Sequence, residues 1–73
     1  MAKVKKYLDS GCTEYILLDD DRVIIQPKNK CDTKSVPEDF DKQFLEITQS
    51  VKETIYTSKQ TFKNVKVGEE LKF

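Results

Sequence analysis

Residues 14–26, EYILLDDDRVIIQ, constrain the fold more than any other part of the chain. Two apolar runs flank three consecutive aspartates, and the β-branched and aromatic residues in these runs favour strands. Aspartate tolerates the left-handed backbone of a tight turn, so the triplet is expected to reverse the chain. The pattern predicts a β-hairpin with strands over Thr13–Leu18 and residues 22–26, which Pro27 ends because proline has no N–H to donate.

Both strands of this hairpin carry apolar side chains on both faces. Ile16 and Leu18 alternate with Tyr15 and Leu17, whereas one helix covers only one face of a sheet. The second face is expected to be covered by the terminal segments or to meet a partner. This leftover apolar area predicts self-association or an obligate protein partner.

A helix is predicted over residues 36–62. Ser35 and Glu38 have the spacing of a capping box, and Pro37 is tolerated in a first helical turn. A stripe of residues then recurs at steps of three or four, as on one face of an amphipathic helix. It consists of Phe40, Phe44, Ile47, Val51, Ile55, Ser58 and Phe62, which are apolar except for Ser58. The β-branched residues in TIYT lower helix propensity, so the alternative is a break after Lys52 with a strand over residues 53–57.

The remaining segments complete a single domain of 73 residues. Residues 1–12 are an N-terminal segment, for which a strand beside the hairpin is favoured over a helical turn. Residues 28–35 are a polar connector, and residues 63–73 form a C-terminal strand or tail. The predicted fold is α+β: a small antiparallel sheet of two to four strands built on the hairpin at residues 13–27, with one amphipathic helix packed across it.

Cys12 and Cys31 bracket the hairpin. The N-terminus lacks the apolar segment of a signal peptide, and no apolar run approaches the roughly 20 residues that span a bilayer. A cytoplasmic protein without membrane contact is therefore expected, and its cysteines are expected to be free thiols. The alternative is a disulfide at the hairpin base. Because the register places Cys12 opposite Lys28, that bond requires the strands to end before residue 31.

The composition argues against catalysis and metal binding. The chain has no histidine, which removes the commonest general base and metal ligand. It also has no phosphate-binding or dinucleotide-binding motif, and the aspartate triplet lacks the alternating spacing of an EF-hand loop. We therefore predict no enzymatic activity, no catalytic residue, no metal and no cofactor.

The predicted function is non-catalytic protein binding, as a small intracellular regulator, inhibitor or adaptor of a larger macromolecule. A short, charge-rich chain with one hairpin and one helix is typical of accessory proteins carried by phages and plasmids. The partner is expected to contact the hairpin tip and two tyrosines expected to be exposed. These residues are Asp19, Asp20, Asp21, Tyr7 and Tyr15.

Nucleic-acid binding is the alternative function. Basic residues near an aromatic side chain are typical of single-strand binders, and lysines of the N-terminal segment and connector are expected to gather at one end of the sheet. They are Lys3, Lys5, Lys6, Lys28 and Lys30. The 13 basic and 13 acidic residues give a net charge of zero. This makes the alternative the weaker hypothesis, because such binding rests on an excess of cations.

Overall fold

The computed structural model describes residues 2–72, which form a five-stranded mixed sheet and one α-helix. The elements are β1 (Ala2–Asp9), β2 (Thr13–Leu18), β3 (Arg22–Pro27), a 3-10 turn (Thr33–Ser35), α1 (Phe40–Gln49), β4 (Glu53–Tyr56) and β5 (Glu70–Leu71). The strand order is β4-β3-β2-β1-β5, in which β4 runs parallel to β3 and the other neighbours are antiparallel. The predicted α+β class is confirmed, but the sheet has one strand more than the predicted maximum and is mixed rather than antiparallel, because β4 pairs in parallel with β3. Within residues 2–72, no helix is both long and apolar enough to cross a membrane.

The predicted hairpin is confirmed in register and, except that the second strand includes Pro27, in its bounds. Leu17 lies opposite Val23, and the Lys28 N–H donates to the Cys12 carbonyl at 2.8 Å. Asp21 at the tip has φ = 65°, which is the left-handed conformation that aspartate tolerates. The N-terminal segment forms β1 on the free side of β2, so the favoured strand is also confirmed there.

The helix begins later than predicted, and no capping box forms. Val36 has an extended backbone (φ −74°, ψ 122°), because the ring of Pro37 disfavours the helical conformation in the residue before it. The Ser35 hydroxyl donates to the Asp32 carboxylate at 3.1 Å rather than capping the helix. α1 starts at Phe40, after the chain has passed this proline.

The single helix predicted over residues 36–62 is wrong. α1 ends at Gln49, and the alternative of a break after Lys52 is confirmed by β4. A parallel pair of strands needs a crossover of about a dozen residues or more. Residues 28–52 provide this crossover between β3 and β4, so the helix must end before β4 begins.

Both faces of the sheet are covered within the chain. The helix face packs against α1 and contains Leu8, Leu17, Val23 and Ile47, with Phe40, Phe44 and Val51 around them. The tail face packs against the C-terminal segment and contains Val4, Ile16, Leu18, Ile24 and Leu71, with Ile55, Phe62 and Val65 around them. The apolar stripe predicted for one helix is therefore divided between opposite faces. The sequence left one face without an assigned cover, but apolar residues on both faces are buried within the chain.

Buried polar side chains that the sequence did not predict fasten the tail to the sheet. Gln26 accepts hydrogen bonds from the Thr61 and Phe62 N–H groups, each at 3.1 Å, and donates to the Phe62 carbonyl at 2.8 Å. Glu14 accepts from Gln26 at 3.2 Å and from Gln60 at 2.6 Å. These hydrogen bonds hold residues 60–62 of the tail against the sheet.

The end of the tail adds to the sheet edge opposite β4. Leu71 in β5 pairs with Ala2 in β1, and Leu71 is buried. The predicted C-terminal strand is thus confirmed as a two-residue strand within the predicted range of residues 63–73. Phe73 lies outside the described residues.

Cys12 and Cys31 form a disulfide, so the predicted free thiols are wrong and the alternative is confirmed. β3 ends at Pro27 and the connector turns back, as the register requires, with the Asp32 N–H donating to the Gly11 carbonyl at 2.7 Å. Gly11 has φ = 102°, and a Cβ there would lie 3.3 Å from a methyl group of Val36. Glycine therefore permits both the turn and the close approach of the connector.

Candidate protein-binding edge

The aspartates of the hairpin tip are held by other parts of the fold. The partners are the Lys3 N–H for Asp19 (3.3 Å), the Arg22 guanidinium for Asp20 (2.6 Å) and the Lys52 ammonium for Asp21 (3.9 Å). The hydrogen bond from Arg22 lowers the pKa of the Asp20 carboxyl. No group of three or more potential ligands in residues 2–72 is arranged to hold a metal ion. The observed contacts give the triplet a structural role at the tip.

Tyr7 and Tyr15 lie on opposite faces of the sheet, and both are half-buried, so the prediction of two exposed tyrosines is wrong. The Tyr7 hydroxyl donates to the Glu14 carboxylate. Burial, reinforced by this bond, raises the pKa of Tyr7 and keeps its phenol protonated. Tyr15 packs edge-on against Phe44, with ring centroids 5.3 Å apart. The two tyrosines therefore do not form one surface.

The lysines of the alternative hypothesis do not gather at one end of the sheet. Lys3 lies beside the hairpin tip, where its carbonyl accepts from the Asp19 N–H at 2.9 Å. Lys28 lies at the hairpin base, roughly 20 Å away at the rise per residue of a strand. Lys28 is paired with Asp9 and Lys6 with Glu46, each at 2.6 Å, while Lys5 and Lys30 are exposed. The prediction that these lysines gather at one end of the sheet is therefore wrong.

The outer side of β4 is an open edge of the sheet, because no strand among residues 2–72 lies beyond it. The Thr57 N–H donates inward to the Ile25 carbonyl at 3.0 Å. Backbone groups of successive residues in a strand point to opposite sides. Thr54 and Tyr56 accordingly direct their N–H and C=O groups away from β3, and we call this the β4 edge.

An apolar groove of about 280 Å³ borders the β4 edge on the helix face. Phe44 and Ile47 of α1 form one wall, and Ile25, Thr54 and Tyr56 form the floor and the outer rim. α1 packs over β1, at the other side of the hairpin, so it leaves the β3–β4 side less covered. Tyr56 is 76% exposed as a result. The groove and the β4 edge together form one surface with apolar side chains and outward-directed backbone groups.

Only some residues of this surface were predicted from the sequence. Tyr15 lines the groove, and Asp21 adjoins it because the Lys52 N–H donates to the Asp21 carbonyl at 2.8 Å at the start of β4. Thr54 and Tyr56 were not predicted as site residues. Their signal was the run of β-branched and aromatic residues in TIYT, which suits a strand better than the end of a helix.

Comparisons with protein-family models, curated proteins and solved structures find no match. The functional proposal therefore rests on the geometry of the β4 edge and the groove beside it. This geometry can offer hydrogen bonds to an extended backbone and apolar contact to its side chains.

Proposed function

We propose that this protein is a non-catalytic protein-binding domain, a small regulator, inhibitor or adaptor that captures an extended segment of its partner along the β4 edge. The observation that supports this proposal is the position of the β4 edge beside the apolar groove. Backbone pairing would supply affinity, and the groove would select side chains, as in other cases of strand addition.

The partner segment pairs with Thr54 and Tyr56. Their outward N–H and C=O groups match the alternating groups of one added strand. Every second side chain of that strand lies on the helix face, next to Tyr56 and the groove. We infer that the ligand is an extended peptide with apolar side chains at alternate positions.

The two edges of the sheet differ in their suitability for such pairing. On the far side, β5 has only two residues and pairs only with Ala2 and Lys3 of β1. The rest of β1 carries Lys5 and Lys6 and has an irregular register between Val4 and Lys6. Short edge strands, charged residues and bulges are all ways in which proteins prevent unwanted pairing. β4 has four residues, and its only charged residue is Glu53 at the start. The β4 edge is therefore the better template for an added strand.

A matched pair of variants tests this proposal on peptides selected from a random display library against the immobilised wild-type chain. Thr54→Pro removes an outward N–H, which an edge strand tolerates, whereas Thr54→Val keeps that N–H and the β-branched shape. We expect selected peptides to lose about tenfold in affinity for the proline variant, the equivalent of one hydrogen bond, and to bind the valine variant as the wild type. Melting curves of both variants establish that they remain folded.

Three results would contradict the proposal. The first is a failure to select any peptide, and the second is equal binding to the proline and valine variants. The third is peptide binding that falls steeply with added salt, because exposed ion pairs, rather than backbone hydrogen bonds and apolar contacts, would then supply the affinity. A second copy of the chain is a further candidate occupant, and sedimentation of the wild type and Thr54→Pro variant at increasing concentration separates that case from binding to another protein.

The compartment is part of the proposal. The sequence predicts a cytoplasmic protein, whereas a disulfide such as Cys12–Cys31 forms and persists mainly in oxidising compartments. We therefore propose that the chain binds its partner in an oxidising compartment. Trapping of free thiols in the source cells before lysis tests this, since recovery of the chain with both cysteines alkylated would contradict it.

A further inference from the structure

The Cys12–Cys31 disulfide is accessible to solvent. Both cysteines are exposed, although they join the base of the central hairpin to the connector at residues 28–35. Disulfides that only stabilise a core are commonly shielded, whereas exposed ones are open to attack by external thiols. An external thiol can therefore reach this bond.

The connector has few other attachments to the sheet. Residues 29–35 are all exposed, and no apolar side chain other than that of the cysteine occurs among them. Its other contacts with the sheet include the ion pair of Lys28 with Asp9 and two hydrogen bonds, from the Lys28 N–H to the Cys12 carbonyl at 2.8 Å and from the Asp32 N–H to the Gly11 carbonyl at 2.7 Å. Opening the disulfide would leave the connector held mainly by these polar contacts.

The connector also determines where α1 begins. It leads through Val36 and Pro37 into the helix, which has ten residues. A helix of this length is marginal by itself and depends on packing. Ile47 is the one residue within Phe40–Gln49 that is fully buried, so a loosened connector gives α1 more freedom to move away from the sheet.

The surroundings of Cys31 carry more positive than negative charge. Lys28, Lys30 and Lys34 line the same shallow depression as Cys31, and the acidic residues beside them are Asp32 and Asp9, of which Asp9 is paired with Lys28. Neighbouring cations favour the thiolate form of a cysteine and attract an anionic thiol reagent. Both effects assist exchange at this disulfide.

We propose that the Cys12–Cys31 disulfide is a redox-sensitive clasp, which a dithiol reductant opens to free the connector and the start of α1 while the sheet remains folded. One thiolate of the reductant attacks a cystine sulfur, forms a mixed disulfide and expels the other cysteine as a thiolate, which takes up a proton. The second thiolate of the reductant then displaces the remaining cysteine. The reductant ends as a cyclic disulfide and the protein as two thiols, with two electrons transferred.

The consequence for binding rests on the proposed function. Phe44 and Ile47 of α1 form one wall of the groove beside the β4 edge. Opening the clasp would therefore weaken capture of an extended peptide without any change in β4. The opening itself can be tested with no ligand present, so that its failure and the failure of the proposed function remain distinguishable.

Hydrogen exchange of the full chain tests the clasp, comparing the oxidised protein, the protein reduced by dithiothreitol and the Cys12→Ser/Cys31→Ser variant. We expect the hydrogen-bonded amides of residues 29–39, such as those of Asp32 and Val36, and the amides of α1 to exchange about tenfold faster or more in the two open forms, as in local unfolding. Amides at the centres of β2 and β3 should keep their protection. An unchanged connector would overturn the clasp, and so would loss of protection throughout the sheet, because the disulfide would then be required for the whole fold.

A second measurement tests whether Lys30 and Lys34 promote exchange at the disulfide. The rate of reduction by glutathione, which is anionic, is compared with the rate by cysteamine, which is cationic. In the Lys30→Gln/Lys34→Gln variant, the rate with glutathione should fall relative to that with cysteamine. An unchanged ratio of rates would overturn the proposed part of these lysines in the exchange.

Discussion

Gln26 shows how one side chain directs a segment far away in sequence. Its amide is fully buried at 0% exposure, and both its oxygen and its nitrogen bond to the backbone of residues 61 and 62. A buried amide must find such partners because an unpaired one is costly. The same side chain donates to Glu14, so β2, β3 and the tail share one polar cluster.

Gln26→Ala should lower the free energy of unfolding by about 3 kcal/mol, because it leaves buried backbone groups of the tail without partners and opens a cavity. Urea denaturation followed by circular dichroism measures this change. Gln49→Ala, at an exposed glutamine, is the control and should change stability by less than about 0.5 kcal/mol. Equal losses of unfolding free energy in the two variants would contradict the conclusion that Gln26 anchors the tail.

Tyr7 makes stability depend on pH in the alkaline range. Burial and the bond to Glu14 raise the pKa of Tyr7 above its ordinary value of about 10. The folded state therefore keeps a proton that the unfolded state loses, and this contribution to stability is complete below pH of about 10 and declines as pH rises above it. We expect the free energy of unfolding to fall in this range, and Tyr7→Phe to have a smaller slope. Equal slopes in the two proteins would contradict the assignment.

The strands and register of the hairpin could be predicted from the sequence, whereas the contacts of its buried polar side chains could not. Alternation and turn residues determine the register of residues 14–26, since a slip by one residue would move every side chain to the opposite face. Nothing local shows that Glu14 and Gln26, at the hairpin ends, are buried. Their burial depends on Gln60 and Phe62, which lie far away in sequence.

At the scale of elements, α1 is a short helix whose packing depends on few side chains. Ile47 is 1% exposed against the helix face, whereas Leu45 on the same helix is 59% exposed. Burial of apolar area, not helix propensity alone, stabilises an element of this length. Substitutions of Ile47 and Leu45 therefore distinguish the contribution of packing from that of helix propensity.

Ile47→Ala should lower the free energy of unfolding by about 3 kcal/mol, because it leaves a cavity under the helix. Leu45→Ala should change it by less than about 0.5 kcal/mol, since its side chain is mostly in water. Thermal or urea melts of the two variants provide the comparison. A larger loss for the Leu45 variant would mean that a different face of α1 is buried.

The boundary between α1 and β4 shows why periodicity misled the prediction at this scale. Val51 and Ile55 continue the steps of three and four that begin in the helix, but Ile55 packs on the tail face with Ile24. The spacing of apolar residues is the same whether the chain continues as a helix or turns into a strand there. The β-branched residues of β4 were the better signal, and the parallel pairing with β3 decided the outcome.

For the whole molecule, the chain itself covers the face of the sheet that the sequence left without an assigned cover. The tail, predicted as a C-terminal strand or tail, covers one face, and α1 covers the other. The face that the tail covers cannot be assigned from sequence, because its position depends on contacts with residues far away in the chain, such as Gln26. The surface available to a partner is consequently an edge rather than a face.

The disulfide contributes to stability at the scale of the molecule. Cys12→Ser/Cys31→Ser should lower the free energy of unfolding by about 3 kcal/mol, the value expected for a loop of about 20 residues closed by one bond. Denaturation with and without reductant measures this loss for the wild type, and the variant should be insensitive to reductant. An effect of reductant on the variant would show that the loss does not come from this bond.

Amide exchange at β4, with and without a peptide selected from the display library, tests the proposed binding edge most directly. We expect the bound peptide to slow exchange of the Thr54 and Tyr56 N–H groups, which point outward, while the Ile55 N–H, which points toward β3, changes little. This alternating pattern is specific to an added strand. Unchanged exchange at Thr54 and Tyr56 in a complex that forms elsewhere on the protein would contradict capture along the β4 edge.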